Sequence, residues 1–386
     1  MAERGPRNRD TIEIRVDAQP ATRLLYLEQG GVVYVIPSGP SSDWSTRAIQ
    51  AGGCEVRWSD GRVAPCSARV ATDPAVVGEV RSGFRIKYGE GVFAAYFAYS
   101  SRLVVLDPRQ STPPPSPAEL LEGEFDAVAS DYDASVARQP VERYLKDRAL
   151  SFFLQRFQGR DPLLEVGPGT GYHTLPLITA GHRIIAVDVS ARMLETLDRR
   201  ARDAGLADRL KSRKGTLGDL TEVLEDLPRE YFGGAFSAFG AFNLEADVGR
   251  LASALGYALR PQALLVFTAL NRPGLTPLLW ELALGRSAAA RARFLPVVPA
   301  GRLRYPLELH LRTPGEWDRI LGIGFRRRDI HPVSVFAPPF DSPRLQQVLS
   351  SSGARRAARL DGTLSGYSSL WPWAEWVVLT YERLGG

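Results

Sequence analysis

The chain has 386 residues, 44% of them hydrophobic and 24% charged, with 48 basic against 43 acidic side chains and a formal net charge of +5. That composition predicts soluble, core-forming domains, and the length suits two of them. The mild positive balance does not argue for nucleic acid, and arginine groups such as "RRDIHP" and "ARRAARL" read as solvated faces.

Cys54 and Cys66 are the only cysteines. They offer no metal-ligand spacing and no disulfide framework, so two buried free thiols are expected, although their separation would suit facing hairpin strands. The N-terminal "MAERGPRNRD" carries charge and no apolar segment, so no signal peptide is expected. No run of about 18 apolar residues appears, so no membrane span is expected and the cytoplasm is the predicted location.

Residues 11 to 108 read as a small β-rich domain. "TIEIRV", "RLLYLE", "VVYVIP", "CEVRW", "VAPCSARV" and "RLVVLD" are short runs rich in β-branched and aromatic residues. "EQGG" and "SDGR" supply hairpin turns between them. One helix is predicted in "SSDWSTRAIQAGG", with Ser42 or Asp43 as its cap and Gly52 or Gly53 past its end. A second is predicted in "DPAVVGEVRSGFRIKYG". A barrel of about six strands with small helices is the architecture that follows.

This half resembles the split-barrel flavin and deazaflavin oxidoreductases of the nitroreductase-like branch, through "LLYLEQGGVVYVIPSGP", "DWSTRAIQAGGCEVRW" and "FRIKYGEGVFAAYF". The resemblance implies a cofactor-phosphate loop at Ser38, Gly39 and Ser41. The family's basic, glycine-rich hairpin before "RLLYL" is shortened here to "DAQPAT". The expectation is therefore an accessory barrel, the alternative being one that binds flavin or deazaflavin. The barrel is also the candidate surface for a homo-oligomer.

"RQSTPPPSPAEL" separates the two halves, because its prolines suit neither a helix interior nor a central strand. The expected organisation is a barrel over 1–110, a linker over 111–118 and a second domain over 119–386. In that second domain helical and buried-strand patterns alternate, which predicts a Rossmann-like α/β domain built on a doubly wound, parallel sheet.

The first strand of that sheet ends in "LLEVGPGTGYHT". Gly167 and Gly169 fit a dinucleotide turn, but its third glycine position is Tyr172, and Gly171 comes one residue early. No lysine is present for a phosphate. Asp188 ends the next strand, "IIAVD", where a carboxylate can accept both hydroxyls of a ribose. Glu165 discriminates between ligands: a carboxylate there repels a pyrophosphate but can pair with a cation.

"LLEVGPGTG" followed by "IIAVDVSARML" resembles the first two motifs of class I S-adenosylmethionine-dependent methyltransferases, and the resemblance runs over about 118 to 386. It implies a cofactor set of Glu165, Gly167, Gly169, Gly171, Asp188, Val189 and Met193. "FDAVASDYDASVARQPVERYL" resembles the lead-in helix of the small-molecule members, and places Tyr132 over the methionine end of the donor. Leu217 and Gly218 are the candidates for adenine contact, with Asp219 beside them either as a contact or as a helix cap. "RPQALL" stands where the family has a Pro-Gly-Gly turn.

Methyl transfer needs collinear nucleophile, methyl and sulfur, and a base only where the nucleophile must lose a proton. The expected catalytic residues are His173, Asn243 and His310, with His182 and His331 read as structural. A lid is expected over about 272–312, beginning with "TPLLWELALGR" and rimmed by Arg286, Arg291 and Arg293. Trp280 and Phe239 are then the substrate contacts. The nucleic-acid signatures N-P-P-Y and D-P-P-Y are absent. The expectation is a methyltransferase for a small, apolar or aromatic molecule, with no metal and no nucleic-acid partner. The alternative is a bifunctional protein whose barrel also performs a redox step.

Overall fold

The computed structural model describes residues 11–37, 43–97, 102–110, 114–246, 248–300, 305, 307–322, 324–336, 361–363 and 367–385. The chain divides into two compact units, Met1–Ala127 with Pro299–Leu307, and Val128–Val298 with Glu308–Gly386.

The first unit holds β1 (Thr11–Arg15), β2 (Thr22–Gln29), β3 (Val32–Val35), α1 (Asp43–Gln50), β4 (Gly53–Trp58), β5 (Val63–Val70), α2 (Pro74–Tyr88), α3 (Glu90–Phe97) and β6 (Val104–Asp107). Helix α4 (Pro117–Val128) follows. The six strands close into an antiparallel barrel in the order β1-β2-β3-β6-β5-β4, which leaves no strand edge unpaired. Gly30 and Gly31, at φ 58° and 78°, make the two-residue turn between β2 and β3 that the strand twist favours. Helix α2 is capped by the Asp73 carboxylate, which accepts from the Ala75 amide at 2.8 Å. Its Val80 and Phe84 bury against Leu25, Ile36 and Val105.

Cys54 and Cys66 lie directly opposite each other in the β4–β5 ladder as free thiols. Burial pushes both up to about 12, so both are protonated near neutrality. The expected phosphate loop at Ser38, Gly39 and Ser41 lies outside the described residues.

The second unit opens with α5 (Tyr132–Arg138) and α6 (Pro140–Arg156). Then come β7 (Leu163–Val166), α7 (Thr174–Thr179), β8 (Ile184–Asp188), α8 (Ala191–Asp203), β9 (Leu210–Lys214), α9 (Leu220–Val223), β10 (Phe232–Ser237), α10 (Val248–Ala258) and β11 (Leu259–Leu270). The remainder is α11 (Leu275–Ala283), α12 (Ser287–Ala292), the short strands β12 (Val297–Pro299) and β13 (Glu308–His310), α13 (Pro314–Leu321), β14 (Phe325–Pro332) and β15 (Trp376–Arg383).

Seven of these strands form one sheet in the order β14-β15-β11-β10-β7-β8-β9. Alternation along each strand feeds two cores. Leu163, Ile184 and Val266 face α6, α7 and α8, while Leu164, Ile185, Leu265 and Phe267 face α10 and α13. Helices therefore cover both faces, which makes the fold a doubly wound, Rossmann-like α/β sheet.

Two details differ from the sequence expectation. The sheet is mixed rather than parallel: β15 runs antiparallel to both β11 and β14, a pairing that needs no crossover helix. "RPQALL" is not a loop but lies within β11, where Gln262 sits at φ 66° and the β10–β11 register shifts between Phe232 and Gly234. No helix of the described residues is long and apolar enough to cross a membrane.

Candidate active site

The glycine turn leaves β7 at the carboxyl edge of the sheet, where open α/β sheets bind ligands. Gly167, Gly169 and Gly171 have φ of 71°, 55° and 91°, a region closed to most side chains. Their surroundings give each a separate reason to be glycine. A Cβ on Gly167 would come within 2.9 Å of the Ala241 side chain, and one on Gly171 would collide with Leu197. A Cβ on Gly169 would meet nothing within 4 Å, so this is where the turn stands open.

Asp188 holds that turn in place. Its Oδ2 accepts from the Gly169 amide at 3.0 Å, and its Oδ1 accepts from the Ser190 amide at 2.9 Å. The side chain is buried among these donors, at 8% exposure for the residue. Val189 and Met193 follow directly, Met193 buried and its amide bonded to the Ser190 hydroxyl that caps α8. The turn is also tied to α5: Thr170 donates its hydroxyl to Asp133 at 2.6 Å, and Arg200 bridges Asp133 and the Thr170 carbonyl.

Glu165 is 2% exposed, and its Oε2 accepts from the Thr174 hydroxyl at 2.6 Å. Burial pushes its carboxyl up to about 8; the Thr174 bond works against that and the Asp188 charge adds to it. Glu165 is therefore largely protonated at neutrality. Leu217 packs against the core beside Gly218. Asp219 stands at the N-cap position of α9, where its carboxylate accepts from the Thr216 amide and hydroxyl and makes no side-chain bond to the helix.

At the end of β10, Phe239 adopts φ 53° and is followed by Gly240 at φ 91°. A phenylalanine in the left-handed region is strained, and such strain is found where structure must aim a side chain. Its amide donates to the Thr268 hydroxyl at 2.6 Å. Its ring stacks on His173 with centroids 5.9 Å apart and leans on Trp376 at 5.3 Å. Lys146, 3% exposed on α6, brings its Nζ within 4.8 Å of the Phe239 ring centroid and 3.1 Å of the Tyr132 hydroxyl. Tyr132, Phe239 and His173 thus converge through Lys146, a residue the sequence reading did not single out.

His173 is 3% exposed and donates Nε2–H to the Lys146 carbonyl at 3.1 Å, because a carbonyl can only accept. Burial pulls its pKa down to about 3, with the Lys146 charge adding to the effect and the backbone bond opposing it. The ring is therefore neutral and a weak base.

Asn243 is fully buried, its Oδ1 accepting from the Leu270 amide at 2.9 Å and its Nδ2 donating to the His310 carbonyl at 3.0 Å. It braces β10 to β11 and β13. His310, its pKa lowered by burial and by Arg312, lines a cavity of about 320 Å³ with Pro296, Val297, Arg312, Glu316 and Ile320. That cavity has no lining residue from the glycine turn. His182 bonds the Arg160 carbonyl through Nδ1 at 3.0 Å, and His331 lies in β14 beside Asp329 and Arg156.

The inserted helix α11 buries Pro277 and Glu281, while Leu279 and Leu282 are 55% and 54% exposed. Trp280 is half-buried and stands outside the ring contacts of Phe239. Two of the three rim arginines are paired internally, Arg286 with Glu281 and Arg293 with Glu375, both at 3.0 Å. Arg291 is exposed.

The family model described as "Methyltransferase domain" matches residues 163–262, which run from β7 through the glycine turn and Asp188 into β11. This stretch of the chain is a methyltransferase domain. Two curated relatives are the mitochondrial ribosomal RNA small subunit methyltransferase of Arabidopsis thaliana, 46% identical over 50 residues, and a second ribosomal RNA small subunit methyltransferase of that plant, 44% identical over 70 residues. The matches cover 13% and 18% of this chain, and the same 13% and 18% of those relatives. Among solved structures, the CcbJ methyltransferase from Streptomyces caelestis is 18% identical, with a TM-score of 0.44, over 68% of this chain and 98% of that one. The geranyl diphosphate C-methyltransferase from Streptomyces coelicolor A3(2) is 15% identical, with a TM-score of 0.40, over 62% of this chain and 76% of that one.

Proposed function

We propose that the protein transfers a methyl group from S-adenosylmethionine to a small, largely apolar or aromatic acceptor. The observation that carries this reading is the bond between Asp188 and the Gly169 amide, in a turn open at Gly169. It sets a carboxylate beside an accessible backbone at the carboxyl edge, inside the segment that matches the methyltransferase family. These residues suit a nucleoside with free ribose hydroxyls and no phosphate. Asp188 would accept the hydroxyls, the three glycines would admit the ligand to the backbone, and Glu165 would face its cationic groups. Tyr132, Val189, Met193, Leu217 and Gly218 would complete the cofactor surface.

The donor brings an electrophilic carbon already activated by the sulfonium. The protein's part is then to orient and to exclude water. Phe239, Trp376, Tyr132 and Tyr172 supply the flat apolar surface for an acceptor, and Trp280 with α11 would close over it. The barrel is assigned an accessory part.

A second reading, an RNA acceptor, draws on the similarity to the two ribosomal RNA small subunit methyltransferases. Incubating the protein with methyl-labelled S-adenosylmethionine and, separately, total RNA and a pool of aromatic metabolites distinguishes the two. Label in a small organic product supports the proposal, and label confined to RNA replaces it. A third reading, a flavin- or deazaflavin-binding barrel, is tested by the visible spectrum of the purified protein, which is yellow only in that case.

A further inference from the structure

Burying an ammonium group is costly unless it is paired and hydrogen-bonded. Lys146 is 3% exposed, yet its pairing is thin. The Tyr132 oxygen lies 3.1 Å from Nζ, while the nearest carboxylate oxygen, on Glu142, is 3.8 Å away, beyond hydrogen-bond range. Burial pushes the Glu142 carboxyl upward, against the pull of Lys146, which weakens it further as a counter-ion. What surrounds the ammonium instead is aromatic: the ring centroids of Phe239, Tyr132 and Tyr172 lie 4.8, 5.1 and 5.5 Å from Nζ. His173, beside them, is a neutral ring.

A second donor waits in the same cluster. Trp376 is 4% exposed, and its indole Nε1 is buried with no hydrogen-bond partner among the described residues. Its ring touches Phe239, the same residue that touches Lys146. The carboxyl edge at Phe239 therefore sets a buried ammonium and a buried indole N–H among flat rings.

We infer that Lys146 is an acceptor-binding residue, holding the oxyanion of an aromatic acid or phenol whose ring lies against Phe239 and Trp376. This inference rests on the proposed methyltransferase reading and narrows its acceptor to an aromatic anion. A neutral apolar acceptor would leave the ammonium with the Tyr132 oxygen and the distant Glu142 carboxylate, and a cationic one would face a like charge. A bound oxyanion would add a charged partner to Lys146, and the ring it carries would lie on Phe239, which the Trp376 ring also touches.

The test uses the full chain saturated with S-adenosylhomocysteine, with benzoate, cinnamate and para-nitrophenolate as anionic probes and benzamide, cinnamamide and para-nitroanisole as their neutral counterparts. Calorimetry should show the anions binding about tenfold or more tighter than the neutral partners, the size expected of one charged hydrogen bond. Lys146→Met should abolish that preference and leave the affinity for S-adenosylhomocysteine within about twofold. Because Met fills similar volume without a charge, the variant is expected to fold. Trp376→Phe, which keeps a ring but removes the N–H, gives an independent and smaller loss of the preference.

Equal binding of each anion and its neutral counterpart overturns the inference, as does the absence of binding by any probe. So does a Lys146→Met variant that loses S-adenosylhomocysteine as strongly as it loses the anions, because the lysine would then serve the donor's own carboxylate. If wild type fails to bind S-adenosylhomocysteine at all, the methyltransferase reading falls and this inference with it. Donor binding without anion preference removes this inference alone.

Discussion

The Thr174 hydroxyl donates to Glu165 Oε2 at 2.6 Å in a site where Glu165 is 2% exposed. Because burial raises the folded-state pKa from 4.5 to about 8, the folded protein holds a proton that the unfolded chain releases. The stability this group contributes is fully present below pH 4.5 and is lost as pH rises through about 8. The unfolding free energy of the ligand-free protein should fall across that window, by no more than about 1.4 kcal/mol per pH unit from this one group, and its melting temperature with it. Glu165→Gln should flatten the fall. Donor binding near pH 7 should also release a proton, so its calorimetric enthalpy should differ between phosphate and Tris. An enthalpy independent of buffer would remove Glu165 from the cationic end of the ligand.

His173 is assigned a positioning part. With its pKa near 3 and its Nε2–H bonded to the Lys146 carbonyl, it should give no limb near pH 6.5 in the rate profile. His173→Gln, which keeps a donor at that position, should hold kcat within about tenfold, whereas loss of a general base costs roughly a hundredfold or more. A drop of that larger size with unchanged donor affinity would restore His173 as the base.

The lid is tested through its exposed leucines. Leu279→Glu and Leu282→Glu alter side chains that are 55% and 54% exposed, so stability should change by no more than about 0.5 kcal/mol. If α11 closes on an apolar acceptor, both variants and Trp280→Ala should raise the acceptor KM and leave the affinity for S-adenosylhomocysteine unchanged. Unaltered KM in all three would make α11 an ordinary packed helix.

The division of labour predicts that a fragment of residues 118–386 binds S-adenosylhomocysteine, because Tyr132, the glycine turn and Asp188 all belong to the second unit. A folded fragment unable to bind would mean that the barrel completes the donor site.

The glycine turn and Asp188 were legible because their signals are local. Three glycines at a strand end and a carboxylate at the next strand end are each fixed by a few neighbouring residues. The barrel strands were legible for the same reason, through alternation and turn glycines. Lys146 was not. On α6, Glu142 and Lys146 stand four residues apart, and such a pair ordinarily reads as a solvated helix face. Burial comes to Lys146 from α5, from Tyr172 beyond the glycine turn and from Phe239 at the end of β10, all distant in sequence. Trp376 enters from β15, whose antiparallel insertion beside β11 no local pattern announces. Asn243 was noticed as a polar residue at a strand end, but sequence could not reveal that backbone groups of Leu270 and His310 use its amide.

The most direct test of the central claim is calorimetric titration of the wild type and of Asp188→Ala with S-adenosylhomocysteine and with NADH. Asp188 is expected to hold both the turn, through Gly169, and the ribose hydroxyls, each charged hydrogen bond contributing about 1.5–3 kcal/mol. The account predicts saturable binding of S-adenosylhomocysteine by the wild type, weakened at least about tenfold in Asp188→Ala, and no comparable binding of NADH. Equal affinity of the two proteins for S-adenosylhomocysteine, or tight binding of NADH in its place, would contradict it.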